Sequence, residues 1–414
     1  MRIIEFVADY HYYRTHKKAK MGNDMNYNQL SLEMHEKNEG KLETISRVPV
    51  KNRDDLSTAY TPGVAEPCRK IHANPDDVYK YTLKSRTVAV ISNGTAVLGL
   101  GNIGPEAGLP VMEGKCILFK EFAGVDAFPL VIKADTPDEV VSFCKAVAPT
   151  FGGINLEDIK SPECFEIEDR LRKELDIPVF HDDQHGTAIV VTAALINALR
   201  VVGKEMSKIR VVLNGPGAAG TAIIKMLMTV GVKDIVAIDS KGVIYDGRGS
   251  AGSHKQWLEK NTNPRGVKGE LKDAVKDADV FIGVSKPGCL TKEMVKTMAK
   301  DAIVFAMANP NPEIYPEDAK EAGARVIATG RSDYPNQVNN VLGFPGIFKG
   351  ALSVRARDIN DQMKIAAAYA IADLVSDKER CPEYVIPSPF DERVVAAVSK
   401  AVAEAAVKSG VARI

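Results

Sequence analysis

The stretch Arg210-Val211-Val212-Leu213-Asn214-Gly215-Pro216-Gly217-Ala218-Ala219-Gly220 decides the fold of much of this chain. It begins with a β-prone run and continues with a G-x-G-x-x-G spacing, which is typical of a strand that turns sharply into a helix. Gly215 permits the tight turn, Gly217 lets the main chain approach a phosphate group, and Gly220 allows the helix to pack closely on the strand. A helix that begins at Ala218 adds amide donors and partial positive charge. The stretch therefore predicts a dinucleotide-binding βαβ unit.

An acid at the end of the next predicted strand supports this interpretation. Asp239 lies 19 residues after Gly220, close to the spacing of about 20 residues expected for a carboxylate that accepts the ribose hydroxyls. A tight turn in a purely structural βαβ unit is the alternative. Asp239 favours NAD over NADP because its carboxylate would repel a 2′-phosphate, whereas Lys241 could bind that phosphate. We therefore expect NAD or NADP, with a slight preference for NAD.

The composition excludes several classes of protein. Of the 414 residues, 45% are hydrophobic and 26% are charged, and Lys plus Arg equal Asp plus Glu at 54 each. The apolar content argues against a disordered chain, and the zero net charge argues against nucleic acid or an anionic membrane as the main partner. The longest apolar stretch, residues 188–199, is well short of the roughly 20 residues that cross a membrane. We expect a cytoplasmic protein with a small-molecule substrate.

Strand and helix patterns alternate along the chain, which predicts an α/β fold with parallel sheets. Residues 1–25 are interpreted as a disordered or alternative start, and residues 26–186 as an N-terminal α/β domain that binds substrate and metal. Residues 187–345 are predicted to form a doubly wound, Rossmann-type domain, and residues 346–414 to form C-terminal helices that pack on the body. The predicted strands cover residues 88–91, 116–119, 129–132, 151–155, 210–213, 235–239, 279–282, 303–306 and 325–328.

Two acidic pairs form a candidate metal site. Glu157-Asp158 follows one predicted strand, and Asp182-Asp183 lies in the run His181-Asp182-Asp183-Gln184-His185. The histidines are four residues apart, as in some zinc sites, but the intervening residues differ from H-E-x-x-H and no third histidine is near. Oxygen ligands from two loops suit Mg²⁺ or Mn²⁺ better. Solvated loop acids or helix caps are the alternative interpretation.

Several segments together resemble the malic enzymes, in their short bacterial form, over residues 40–400 or so. The glutamate and aspartate pairs described above occur here in the order seen in that family. The other matching segments are Tyr60-Thr61-Pro62-Gly63-Val64-Ala65, Gly94-Thr95-Ala96-Val97-Leu98-Gly99-Leu100-Gly101-Asn102, Asp183-Gln184-His185-Gly186-Thr187-Ala188, Met307-Ala308-Asn309-Pro310 and Asn339-Asn340-Val341-Leu342-Gly343-Phe344-Pro345-Gly346.

The resemblance implies oxidative decarboxylation of L-malate to pyruvate and CO₂, with hydride transfer to NAD(P) and a divalent metal. It also implies a homodimer or a larger homo-oligomer, and it leaves open whether a site takes a residue from the neighbouring chain. In this resemblance Tyr60 is the general acid, Lys115 the general base and Asp182 a supporting acid. The implied metal ligands are Glu157, Asp158 and Asp183, and the implied substrate contacts are Asn309 and Asn340. The residues implied to bind the cofactor are Gly215, Gly217, Ala218, Gly220, Asp239 and Asn309.

The implied role of Lys115 carries a physical requirement. A lysine acts as a base only when it is neutral, so its pKa must fall from about 10.4 to about 7–8. Burial and a nearby dication can lower the pKa in this way, whereas an exposed position cannot. We therefore expect Lys115 to be buried close to the carboxylates.

The sequence departs from the resemblance at one position. Larger malic enzymes place an arginine just before the Gly-Leu-Gly segment to hold a substrate carboxylate, whereas this chain has Ala96. Ser92, Asn93 and Thr95 offer hydrogen bonds near that position instead. Two other functions stay open: a 2-hydroxyacid dehydrogenase that does not decarboxylate and recruits His181, and a nucleotide-binding sensor without turnover.

Overall fold

The computed structural model describes residues 26–97 and 99–414. The predicted disordered or alternative start, residues 1–25, lies outside the described residues. The described residues divide into two compact units, the first ending at residue 43 and the second covering residues 44–414. The predicted boundaries near residues 186 and 345 both fall within the second unit. In the first unit, helix α1 spans Tyr27–Asn38, and the side chain of Asn26 caps its first turn by accepting a hydrogen bond from the Gln29 amide.

Among the described residues of the second unit, four parallel strands form the first sheet. Their order is β2-β1-β3-β4, and β1 is buried along its whole length. The continuous apolar run in β1 is what a strand covered on both faces requires. The strands are β1 (Thr87–Ser92), β2 (Asp126–Val131), β3 (Gly153–Leu156) and β4 (Val179–His181).

The second sheet follows along the chain and has six strands among the described residues. Their order is β10-β9-β8-β5-β6-β7, and all neighbours pair in parallel except β6 and β7. The change of direction in strand order at β5 is the doubly wound pattern predicted above. The strands are β5 (Arg210–Asn214), β6 (Asp234–Asp239), β7 (Gly242–Val243), β8 (Val280–Gly283), β9 (Ile303–Ala306) and β10 (Val326–Thr329). The predicted α/β fold with parallel sheets is confirmed.

Helices separate the strands and cover the sheets. Short 3₁₀ turns occur at Pro75–Asp77, Leu83–Arg86 and Asn340–Leu342. The α-helices of the second unit are α2 (Arg53–Ala59), α3 (Ala65–Ala73), α4 (Val78–Tyr81), α5 (Pro105–Ala123), α6 (Pro137–Val147), α7 (Glu163–Glu174), α8 (Asp182–Val202), α9 (Ala218–Thr229), α10 (Ser253–Asn261), α11 (Leu271–Ala274), α12 (Lys292–Lys296), α13 (Pro316–Glu321), α14 (Phe344–Ser353), α15 (Asp361–Ala372) and α16 (Arg393–Lys408).

The strand predicted over residues 116–119 is wrong, because these residues lie inside α5. Met112, Cys116, Phe119 and Ala123 are the buried residues of this part of the helix. They recur three to four residues apart, which places them on one face of a helix. The run Cys116-Ile117-Leu118-Phe119 resembles a buried strand because the residues between the buried positions are also apolar. A short run of consecutive apolar residues does not distinguish a buried strand from a buried helix.

Helix α8 lies in a core that is shared by the two sheets. Its buried side chains pack in one cluster with residues of β1, β5, β9 and the C-terminal helices. Among the described residues it is also the one helix long and apolar enough to cross a membrane, and 72% of its most apolar window is buried inside the protein. Its apolarity is therefore explained by its position in the core.

Candidate active site

The four predicted acidic residues meet at the carboxyl edge of the first sheet. Glu157 and Asp158 follow β3, and Asp182 and Asp183 follow β4, its parallel neighbour. The Asp158 amide donates to Asp183 Oδ2 at 2.8 Å. Asp182 and Asp183 also form the first turn of α8, where the helix dipole stabilises negative charge. We refer to these four residues as the carboxylate cluster.

Lys115 enters the carboxylate cluster from the middle of α5. Its Nζ lies 2.6 Å from Asp182 Oδ2 and 2.9 Å from Glu157 Oε1, and the side chain is 10% exposed. The ammonium group also lies 4.1 Å from the centre of the Phe344 ring, a cation–π distance. The expected burial of Lys115 beside the carboxylates is confirmed.

The charge state of Lys115 differs from the expectation. Burial opposes the charged form, but the carboxylates of Asp182 and Glu157 outweigh it and raise the pKa of Lys115 above its usual value. The expected fall of the pKa was wrong for the protein on its own, because it weighed burial and a dication but not two ion pairs at under 3 Å. Lys115 is therefore a bound ammonium in this structure.

The carboxylate cluster holds more negative charge than Lys115 compensates. Burial, and then the charge of Asp183, raise the pKa of Asp158 to about 7. Burial also raises the pKa of Glu157 well above its usual value, against the opposing effect of Lys115. Asp158 Oδ2 and Asp182 Oδ1 are buried without a hydrogen-bond partner. Oxygen atoms in this state cost free energy unless a cation or proton satisfies them.

The donor chemistry of the carboxylate cluster fits a hard divalent cation. Unpaired buried carboxylate oxygens are the ligands that Mg²⁺ and Mn²⁺ prefer. Across the residues described, no three Asp, Glu, His or Cys side chains are already drawn together as a metal-binding group. One reason is visible at Glu157, whose two oxygens pair with Lys115 Nζ and with Asn155 Nδ2. A bound cation would have to compete with these contacts.

Asn340 joins the carboxylate cluster, and Gly186 leaves room for it. Asn340 Nδ2 donates to Asp182 Oδ2 at 3.1 Å, and its Oδ1 accepts from the Thr187 hydroxyl at 3.2 Å. A Cβ at Gly186 would overlap Asp182 Oδ1, so a larger residue there would displace this carboxylate. Asn309 takes no part in these contacts. Its side-chain amide packs closely against Gly330, since a Cβ added at Gly330 would lie only 2.8 Å from Asn309 Nδ2.

Glu168 supports the start of α8, and the sequence analysis missed it. It is buried on α7, where its Oε1 accepts from the His181 amide at 3.2 Å. Its Oε2 accepts from Gln184 Nε2 at 3.2 Å and pairs with His185 Nε2 at 2.9 Å. A detectable sequence signal existed, because Glu168 shares the helical spacing of the apolar residues Cys164, Ile167 and Leu171.

The two histidines are used in different ways. His185 lies between Glu168 and Lys364, whose Nζ is 3.3 Å from His185 Nδ1. His181 is fully buried, both of its ring nitrogens lack a hydrogen-bond partner, and its Nδ1 lies 3.8 Å from Asp183 Oδ2. Among the described residues, no group of three side chains that could hold a metal forms around these histidines, so the structure gives no support to the zinc interpretation.

Tyr60 lies away from these contacts, on the surface of the second unit. It caps the C-terminus of α2, its amide donates to the Leu56 carbonyl, and the residue is 66% exposed. Among the described residues, no hydrogen bond joins it to Lys115 or to the carboxylate cluster. The contacts within one chain therefore leave the predicted general acid outside the cluster.

The polar residues at the end of β1 and in the loop after it are engaged in hydrogen bonds within the protein. Ser92 Oγ accepts from the Gly94 amide at 3.0 Å. Asn93 Nδ2 donates to the Ala134 carbonyl, and its Oδ1 accepts from the Thr95 hydroxyl. Thr95 Oγ1 in turn accepts from the Lys160 amide. These bonds fix the loop that contains Ala96. They use the Thr95 hydroxyl hydrogen and one N–H of Asn93, two of the donors expected to hold a substrate carboxylate.

The nucleotide loop has the geometry that its glycines predict. Gly215 has φ of 99°, and a Cβ at that position would be 2.6 Å from the Val284 carbonyl. A Cβ at Gly220 would overlap the Gly215 carbonyl and lie 2.9 Å from a methyl group of Leu213. A Cβ at Gly217 would meet no atom within 4 Å, so this residue, which precedes Ala218 and helix α9, faces open space. A dinucleotide phosphate can approach the main chain there.

Asp239 ends β6 and is held by two basic residues that the sequence analysis missed. Its Oδ2 accepts from Arg248 Nη2 at 2.6 Å and from Lys255 Nζ at 2.8 Å, while Oδ1 accepts from the Lys241 amide at 2.9 Å. Burial opposes ionisation, but the hydrogen bonds from Arg248 and Lys255 outweigh it and lower the pKa of Asp239 to about 2. Asp239 is therefore ionised, with its charge largely compensated. Lys241 contacts it through the backbone.

Comparison with known proteins agrees with this arrangement. The family model described as "Malic enzyme, N-terminal domain" matches residues 39–172, and that described as "Malic enzyme, NAD binding domain" matches residues 184–411. The bifunctional malic/malolactic enzyme of Bacillus subtilis is 63% identical over 94% of this chain and 95% of its own. The NAD-dependent malic enzyme of Geobacillus stearothermophilus is 59% identical over 90% of this chain and 78% of its own.

A solved structure shows the same fold. The crystal structure of the malic enzyme from Pyrococcus horikoshii OT3 superimposes with a TM-score of 0.90, at 54% sequence identity, and covers 94% of this chain and 92% of that chain. Both sheets and the helices between them are thus shared with a malic enzyme. By sequence, by family models and by fold, this chain belongs to the malic enzyme family and is an NAD(P)-dependent oxidoreductase.

Proposed function

We propose that this protein catalyses the oxidative decarboxylation of L-malate to pyruvate and CO₂, with hydride transfer to NAD(P). The observation that carries the proposal is the position of Lys115, whose ammonium group lies within 3 Å of two buried carboxylates at the edge of the first sheet. A 2-hydroxyacid dehydrogenase that only oxidises its substrate has no use for four acids at this point. Family membership supports the same reaction.

The residues of the site are assigned the following roles. Lys115 accepts the proton of the C2 hydroxyl as hydride leaves C2 for the nicotinamide, and Asp182 and Asn340 orient the Lys115 amine. Asn309 and Asn340 contact malate, and Asn309 also contacts the nicotinamide end of the cofactor. Tyr60 returns a proton to C3 after CO₂ is lost. General acid–base catalysis of this kind is worth about 10²–10⁴ in rate.

Glu157, Asp158 and Asp183 would hold Mg²⁺ or Mn²⁺. A cation held there would polarise the C2 oxygen and would stabilise the negative charge that decarboxylation leaves on the substrate. The unpaired buried oxygen of Asp158 supports this ligand set. Lys115 must lose its proton before it can act as a base. Engagement of Glu157 by a cation would weaken one of the two ion pairs that raise the pKa of Lys115.

Gly215, Gly217, Ala218 and Gly220 would contact the pyrophosphate of the cofactor, and Asp239 the adenosine ribose. We propose NAD as the preferred cofactor by a small margin, because the ionised Asp239 disfavours a 2′-phosphate. Arg248 and Lys255 compensate this charge, which keeps the margin small. Both NAD-dependent and NADP-dependent malic enzymes occur among the relatives.

One assay tests the reaction, the metal and the cofactor together. Reduced nicotinamide and pyruvate are followed with L-malate, Mn²⁺ and either NAD or NADP, before and after addition of a chelator. Equal amounts of the two products, lost on chelation and faster with NAD, are expected. Reduced cofactor with oxaloacetate and no pyruvate would instead identify a simple dehydrogenase, and cofactor binding without turnover would identify a nucleotide sensor.

We also propose that the protein is a cytoplasmic homodimer in which Tyr60 acts in the partner's site. Its exposed position supports this arrangement. Mixing Tyr60→Phe with Lys115→Met subunits would then create one intact site in each mixed dimer, and activity of up to about a quarter of the wild-type value should return for randomly paired subunits. If Tyr60 acts in its own chain, the mixture stays as inactive as its components.

A further inference from the structure

Arg331 lies between β10 and the 3₁₀ turn at Asn340–Leu342, and its guanidinium is fixed in place. Nε and Nη2 donate to the two oxygens of Asp333 at 2.9 and 2.6 Å, Nη1 donates to the Pro310 carbonyl at 3.0 Å, and the group lies 5.5 Å from the centre of the Tyr334 ring. A guanidinium has five N–H donors. These contacts use three of them, which leaves one N–H on Nη1 and one on Nη2.

The position of Arg331 adjoins residues that the proposed function assigns to the substrate. The preceding residue, Gly330, is packed against the side-chain amide of Asn309. A Cβ at Gly99 would be 3.9 Å from the Asn309 carbonyl oxygen, so the loop after β1 reaches the same point. At the far end of the segment, Asn340 bonds to the carboxylate cluster. Arg331 therefore follows directly on a residue that packs against Asn309, and it bonds to the carbonyl of Pro310, the residue after Asn309.

A dicarboxylate substrate needs positive charge away from the carboxylate cluster. Lys115 is already engaged by Asp182 and Glu157. In the loop after β1, Asn93 and Thr95 already bond to each other and to neighbouring segments. Arg331 has free donors, and its side chain is 30% exposed, so a small molecule can reach it. A planar fork of N–H groups also matches a carboxylate better than a single donor does.

We propose that Arg331 binds one carboxylate of the substrate and thereby selects a dicarboxylic over a monocarboxylic 2-hydroxy acid, an inference that rests on the oxidation of malate proposed above. Asp333 and Tyr334 act as positioning residues, since they hold the guanidinium so that its remaining N–H groups face the substrate. No arginine is then needed at the position of Ala96, because Arg331, after β10, supplies the positive charge for the substrate carboxylate.

Substitution of Arg331 tests this assignment through substrate binding. With Mn²⁺ and reduced cofactor present, calorimetry on Arg331→Met should show L-malate binding weakened by about 10- to 100-fold, the range expected when a hydrogen-bonded charge is lost. Binding of L-lactate, which has one carboxylate, should change much less. Arg331→Lys should recover part of the malate affinity, and Asp333→Asn should lose a smaller part. Damage to the fold would weaken both acids alike.

Arg325→Met is the matched control, because Arg325 is an exposed arginine at the opposite end of β10. It should bind both acids as the wild type does. Unchanged malate affinity in Arg331→Met, or weaker binding of reduced cofactor with malate unaffected, would overturn the assignment. The reaction proposed above is tested separately, by pyruvate formation in the wild type. If malate binding depends on Arg331 but the wild type forms no pyruvate, the proposed function fails while the role of Arg331 stands. A wild type that does not bind malate would overturn both.

Discussion

Lys115 makes the contacts on which the chemistry of the site depends. Replacing it with methionine keeps much of the buried volume but removes the amine from Asp182 and Glu157. We expect kcat for malate oxidation to fall by about 10²–10⁴, the usual contribution of a general base, while binding of reduced cofactor, measured by its fluorescence, stays within about twofold of the wild-type value.

Lys120→Met is the control for this substitution. Lys120 lies on the same helix, five residues further on, and its exposed amine pairs with Asp126. Its loss should leave kcat nearly unchanged, since exposed ion pairs contribute about 0–1 kcal/mol. Equal losses of kcat in the two variants would show that α5, rather than the amine of Lys115, is what matters.

The raised pKa of Asp158 predicts how the stability of the metal-free protein depends on pH. Its pKa is about 7 in the folded protein against about 3.9 in an unfolded chain. Between these values the folded state holds a proton that the unfolded state has lost, so stability falls as pH rises. The difference in unfolding free energy between the wild type and Asp158→Asn should therefore decline from pH 4 to pH 7, by about 4 kcal/mol at most.

Urea unfolding in the presence of a chelator measures this difference. A difference that is constant across the range would contradict the raised pKa. Mn²⁺ should raise the thermal midpoint of the wild type more at pH 8 than at pH 5, because the metal replaces the protons that Asp158 and its neighbours have lost. Asp158→Asn should show less of this pH dependence.

The junction between β4 and α8 depends on a contact from a third element, α7. Glu168 holds the His181 amide and the side chains of Gln184 and His185, so it fixes the turn in which Asp182 and Asp183 lie. Glu168→Gln removes the charge and one acceptor, and we expect a loss of about 1–3 kcal/mol in urea unfolding together with weaker Mn²⁺ binding in the absence of cofactor.

Glu166→Gln, on the exposed face of the same helix, is the control for Glu168. Glu166 is paired with Arg170 at the surface and should change neither quantity measurably. If Glu168→Gln lowered stability and left Mn²⁺ binding unchanged, the contact would stabilise α7 without positioning the carboxylate cluster.

The elements of the second sheet could be predicted from the sequence almost to the residue. Strand and helix bounds around the nucleotide loop agree with the structure, because this turn requires glycine at positions 215 and 220 and the glycine spacing therefore marks where the strand ends and the helix begins. Residues 116–119 form part of a helix rather than the predicted strand, because a run of consecutive apolar residues does not show the helical periodicity of its buried positions. The two-residue strand β7 is too short for any periodic pattern to reveal.

Contacts between distant segments explain the rest of what the sequence did not reveal. Glu168 and Lys255, on helices, and Arg248, in the loop after β7, each contact a predicted residue from another segment. Their roles therefore follow from tertiary packing rather than from a local motif. Lys115 was found through the family resemblance, and its burial followed from the chemistry assigned to it. Its raised pKa required the two distances that only the fold provides.

The second unit, residues 44–414, should unfold as one body because its two sheets share α8. Leu195 is fully buried in this helix, and Leu195→Ala should cost about 2–5 kcal/mol. Hydrogen exchange should then speed up equally for the amides of β1 and β5, which lie in different sheets but pack in the same cluster. Faster exchange confined to one sheet would show that the sheets open independently.

The course of α8 has a consequence for recombining this enzyme with other dehydrogenases. Helix α8 runs from Asp182 to Val202. In a chimera joined at residue 187, the first turn of α8, with Asp182 and Asp183, would come from one parent, and the part of α8 that packs in the core would come from the other. Gly203, in the left-handed conformation that ends the helix, is the natural crossover point. A dinucleotide-binding half grafted there from another dehydrogenase would leave the whole helix, and with it the acidic turn, as one inherited piece.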